Sequence, residues 1–103
     1  MIAIQVARMI AHFSLFLDLT DDDTLDPDEA VQMIELLGAD IQALDKPFLR
    51  EVVDAFAIIA PEFTGVAEQL VRDIPYHFYL EEELAADDPE RLAELEAIRD
   101  ARD

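Results

Sequence analysis

The sequence predicts an all-α protein, a compact bundle of four main helices with an additional acidic C-terminal helix. Three observations carry that expectation. Apolar residues recur in steps of three and four along the long segments, the period of a helix with one buried face. Proline follows closely on an aspartate in Asp26-Pro27, Asp45-Lys46-Pro47 and Asp88-Pro89, the residue order of a helix start. Nothing alternates with the two-residue period of a strand.

The expected helices are about 2–18, 27–45, 47–60, 62–74 and 89–102, all within a single domain spanning 1–103. In the first, Gln5, Arg8 and His12 form one narrow polar stripe, and almost everything else is apolar, including Ile2, Val6, Met9, Ile10, Phe13, Phe16 and Leu17. A helix apolar around so much of its circumference is central to a bundle or covered by another molecule. That second possibility is a homodimer through residues 2–17. The segment falls short of the ~20 apolar residues of a membrane span, and it lacks the basic start and cleavage site of a signal peptide.

Asp26 and Pro27 start the second helix, with Asp28 and Glu29 in its positive first turn. Ala30, Ile34, Leu37, Ile41 and Leu44 then line one face. Gly38 lies inside this helix at a cost of ~1 kcal/mol relative to Ala, which marks a close helix–helix approach. Phe48, Val52, Phe56 and Ile59 line the third helix, and Ala60-Pro61 ends it, because the residue before a proline is pushed out of the helical region. Phe63, Val66, Ala67, Leu70, Val71 and Ile74 follow, and Pro75 limits that segment. Residues 75–80 are an aromatic patch without a clear period. The last helix carries Leu92, Leu95 and Ile98 on a thin stripe, with surface pairs expected between Asp87 and Arg91 and between Glu96 and Arg99.

The net charge of -18 in 103 residues excludes nucleic acid and anionic membrane as partners, since both would repel the chain. It favours a cation or a basic protein surface, although charge of this sign also serves solubility alone. There is no cysteine, hence no disulfide and no thiolate site, in keeping with a cytoplasmic protein. Ser14 is alone in an apolar helix, and with two glycines there is no phosphate-cradling loop. His12 and His77 have no metal-ligand spacing with each other or with nearby acids. Catalysis is not expected, and no catalytic residue is assigned.

Residues 18–29 hold seven acids in twelve positions with no base, and they resemble an EF-hand calcium loop. Asp18 stands at the first ligand position, Thr20 at the third, Asp22 at the fifth, Thr24 at the seventh, Asp26 at the ninth and Glu29 at the twelfth. The resemblance implies calcium, a hard cation that takes six to eight oxygens. The departure is Asp23 at the sixth position, where the family has glycine for a sharp turn. Without calcium, Asp26 to Glu29 are accounted for as a helix start.

Tyr76, Phe78 and Tyr79, followed by Glu81, Glu82 and Glu83, have the composition of an interface, with rings to anchor and acids to meet a basic rim. They equally suit the capping of an open bundle end. A small acidic helical bundle with tyrosine beside acids is similar in type to the immunity proteins of colicin nucleases. That resemblance is of composition and architecture, so it transfers no individual residue. The functional expectation is a non-enzymatic interaction module for a basic protein partner, of the inhibitor or immunity type.

Overall fold

In the computed structural model, which describes residues 2–102, the chain is all-helical. Its order is α1 (Ile2–Leu19), α2 (Pro27–Gln42), α3 (Lys46–Ile59), a 3-10 turn (Ala60–Glu62), α4 (Gly65–Arg72), α5 (Ile74–His77), α6 (Leu80–Leu84) and α7 (Pro89–Arg102). No strand occurs among the described residues.

The centre of the molecule is the packing of α1 on α3. Helix α3 buries Leu49, Val52, Val53, Ala55, Phe56 and Ile59, a face wide enough to meet several neighbours. The face that α1 turns inward is built on Ala3, Ala7 and Ala11, all but fully buried, with Ile10, Ser14 and Leu17 beside them. Alanine at four-residue steps makes a shallow ridge, so the helices pack closely. The large residues of α1 lie elsewhere. Met9 is 64% exposed, and Ile2, Phe13, Phe16 and Leu19 are exposed with it. Helix α1 is therefore central on one side only. By length and composition it is the one helix among the described residues apolar enough to cross a membrane, although the sequence was expected to fall short of that.

Local chemistry sets the boundaries. The Asp26 side chain accepts from the Asp28 backbone N–H at 3.0 Å, and Pro27 opens α2. Helix α2 ends at Gln42 rather than 45, and it buries only Ala30, Gly38 and Ile41. Pro61 sits inside the 3-10 turn that follows α3. The expected helix over 62–74 is instead α4 preceded by extended residues at Phe63 and Thr64. Pro75 opens α5 instead of stopping a helix, because a proline in the first turn loses no intrahelical bond.

The aromatic patch thus folds as two short helices. Between them Tyr79 is left-handed, with φ 56° and ψ 37°, a conformation that costs a side-chain-bearing residue ~1–2 kcal/mol. Helix α7 buries one residue, Leu95, and lies against α6.

Candidate functional site

A groove of about 820 Å³ runs between α1, α2, α4 and the α5–α6 turn. Its walls are mostly apolar: Leu15 and Leu19 from α1, Ile34 from α2, Val66 and Leu70 from α4, and Phe78. The polar groups that open into it are few, Ser14, Asp18, Glu35, Gln42, His77 and Tyr79. An apolar concavity with a few converging polar groups is the usual form of a binding site.

Each wall has a local cause. Gly38 has no side chain because a Cβ there would stand 2.8 Å from Cδ1 of Phe78. The close approach signalled by this glycine is thus made by an aromatic ring, not by a helix. Gln42 Nε2 donates to the Phe78 carbonyl at 2.8 Å, which fixes the turn against α2. Ser14 and Asp18, one turn apart on α1, share a face. Ser14 is 6% exposed, and its Oγ has no hydrogen-bond partner among the described residues. Burial raises the Asp18 carboxyl above its ordinary value, and the positive charge of His77 pulls it back. Asp18 also lies at the negative end of the α1 dipole.

Charge is segregated around this groove. All seven Lys and Arg residues lie outside 9–45, and each is paired with a carboxylate. Arg8 reaches from α1 to Glu62 with two bonds of 2.8 and 2.7 Å, and these hold the Glu62 carboxyl below the usual range. Between Arg8 and Lys46 stand ten acids and no base, and none of the ten is ion-paired among the described residues.

The aromatic–acidic stretch divides between two duties. Glu81 accepts from Arg50 at 2.6 Å, Glu82 from Arg99 at 2.9 Å, and Glu83 lies 3.6 Å from Lys46, whose ammonium also donates to the Glu83 carbonyl. Arg99 lies over Tyr76 at 4.0 Å and over Tyr79 at 3.8 Å, and it donates to the Tyr76 carbonyl at 3.0 Å. Arg102 also lies over Tyr76, at 3.8 Å. The basic groups that meet Glu81–Glu83 and Tyr76 are thus the chain's own. Phe78 lines the groove, and so does Tyr79, whose ring also carries Arg99.

The residues at 18–29 are arranged as a connector. Asp21 Oδ1 accepts from the Thr24 N–H at 2.9 Å, and Asp26 caps α2. Asp18, Thr20, Asp22, Thr24, Asp26 and Glu29 bring no three carboxylates or imidazoles together, and no metal-holding group of this kind occurs among the described residues. A second cleft, of about 420 Å³, gathers Arg50, Arg72, Arg99 and Arg102, each already paired with an acid.

Sequence reasoning missed the groove itself. Ser14 and Asp18 are spaced four apart in an otherwise apolar helix, which was a usable signal, but their opposite wall comes from residues some twenty and sixty positions away. No protein-family model matches the chain, and neither does any curated protein or solved structure.

Proposed function

We propose that the protein is a non-enzymatic interaction module whose groove takes a basic amphipathic helix of a protein partner, in the manner of an inhibitor or immunity protein. The observation that carries this reading is the segregation of charge. Every Lys and Arg is already paired with a carboxylate within the fold, whereas the acids of the groove's rim and the adjoining connector have no such partner. An apolar floor with an acidic rim is complementary to a helix with leucine-like residues on one face and lysine or arginine beside them. The fields of the unpaired acids would steer such a partner and suppress acidic competitors. Phe78 and Tyr79 serve as contact residues, while Tyr76, Glu81, Glu82 and Glu83 hold the turn that presents them. In this reading the domain is a four-helix core with α7 alongside. The compartment is the cytoplasm, and α1 is a core helix rather than a membrane span.

The test is a titration of isotope-labelled protein with a synthetic helical peptide carrying leucine on one face and lysine on the other. Shifts should concentrate at Leu15, Asp18, Ile34, Leu70 and Phe78, and should weaken in the variant Asp18→Asn/Glu35→Gln. Shifts scattered over the whole acidic surface, indifferent to that variant, would overturn the reading.

A second reading has its own observation. The outward stripe Ile2, Met9, Phe13 and Phe16 is exposed and free of acids. Two chains of this charge would meet there without opposing carboxylates, as a homodimer through residues 2–17. Light scattering that returns a single-chain mass at high concentration would remove it.

A further inference from the structure

Most buried polar groups in a folded protein are hydrogen-bonded, because an unmet hydroxyl loses its water without compensation. Among the side chains of the described residues, Ser14 Oγ is the exception. It is buried, without a partner, and on the groove wall. One turn further along the same face stands Asp18, whose carboxylate has no Lys or Arg partner. Glu35, on α2, lines the same groove. Two of these three groups are pure acceptors and the third is a hydroxyl with free lone pairs, so the pole asks for a cationic donor.

We propose that this pole of the groove is a primary-ammonium site, which takes the end of a lysine side chain, or of a free alkylamine, between Ser14 Oγ and the Asp18 carboxylate. The inference rests on the basic-partner reading and names the side chain that the groove selects. An ammonium is a compact charge with three donors that point in different directions. It satisfies Asp18 and Ser14 together and leaves one donor for Glu35 or water. A guanidinium is a planar fork that pairs with one carboxylate edge, which would occupy Asp18 and leave Ser14 unmet. The four-carbon stem of a lysine lies along apolar surface while its head is bound, and Leu15, Leu19, Ile34 and Leu70 supply that surface. His77 also lines the groove, and no Lys or Arg does.

A side chain kept for a ligand is a liability without it. Ser14→Ala removes an unmet hydroxyl, so it should leave the free protein as stable as the parent or more so, and yet bind the ligand less well. A merely structural serine would move both in one direction.

The probes are n-pentylamine, n-butylguanidine and n-hexanol, each titrated into labelled protein. The amine should shift Ser14, Asp18, Leu19 and His77 saturably. Loss of one hydrogen bond in Ser14→Ala should weaken it about fivefold, and loss of the charge in Asp18→Asn by more than tenfold. The guanidine should bind more weakly, with little loss in Ser14→Ala. Equal binding of the hexanol, or an amine response indifferent to both substitutions, overturns the ammonium site. If at the same time the lysine–leucine peptide still shifts the groove, the basic-partner reading stands without it. If the peptide also fails, both fall.

Discussion

Arg99 is the clamp of the C-terminal helix, and its removal tests whether α7 has any other hold. The side chain is 17% exposed and pairs with Glu82 at 2.9 Å. It donates to the Tyr76 carbonyl at 3.0 Å and lies within 4.0 Å of two tyrosine rings. A charged hydrogen bond contributes about 1.5 kcal/mol, and each partly exposed cation–π contact about 0.5–1 kcal/mol. With the ion pair set near zero, Arg99→Ala should loosen α7 by about 2.5–3.5 kcal/mol. At ~1.4 kcal/mol per factor of ten, this is about a 60- to 300-fold loss of amide protection. Hydrogen exchange should show that loss across the amides of α7 while those of α3 keep theirs, because only Leu95 of α7 enters the core. Arg91→Ala, which breaks only the pair to Glu94 within one helix, is the control and should change protection less than threefold. The reasoning fails if α7 and α3 lose protection by the same factor, or if Arg99→Ala behaves as Arg91→Ala does.

Three further outcomes are expected. Gly38→Ala gains ~1 kcal/mol of helix propensity, but its Cβ meets Phe78 at 2.8 Å. Overpacking costs ~1–3 kcal/mol, so urea unfolding should show a net loss of about 1 kcal/mol, and a gain would mean that the ring yields freely. Asp18 has a raised folded pKa, so the folded state holds this proton more tightly than the unfolded chain. Ionisation therefore costs stability. The cost is absent below the unfolded value of ~3.9 and complete once pH has risen through the folded value. Asp18→Asn should thus be more stable than the parent at neutral pH and converge with it in acid, as read from urea midpoints against pH. A variant less stable at pH 7 would reverse the sign. Millimolar calcium should leave the amide spectrum of residues 18–29 unchanged, since no three carboxylates converge there. A saturable shift in the parent that is lost in Glu29→Gln would overturn that.

The helical class was legible because it rests on local signals. Apolar periodicity and the pairing of Asp26 with Pro27 depend on neighbours in the chain. What escaped were facts of tertiary contact. The inner face of α1 is Ala3, Ala7 and Ala11, whereas the pattern drew attention to Met9, Phe13 and Phe16. Hydrophobicity ranks residues by size, and close packing selects the small ones. The four-residue spacing of those alanines was the available clue. Charge pairing was misjudged for the same reason. Glu96 and Asp87 were natural partners by sequence separation, but Arg99 leaves its helix for Glu82 and Arg91 takes Glu94. The acids at 81–83 read as an outward rim because nothing local revealed Arg50, Arg99 and Lys46 opposite them. The groove is beyond any local reading, since residues of four separate elements build it.

Helix α2 forms one wall of that groove, yet three small or medium residues are all that it buries, and no ion pair ties it to the rest of the described chain. Its visible polar tether is the bond from Gln42 to the Phe78 carbonyl near its far end. A wall so lightly held opens as a unit at low free energy, and the unpaired acids on α2 and the connector repel it from Asp18. At 0.1 M salt such repulsion is largely screened beyond ~10 Å. The groove should therefore narrow as salt is added, which amide exchange of α2 at low and high ionic strength would read as rising protection.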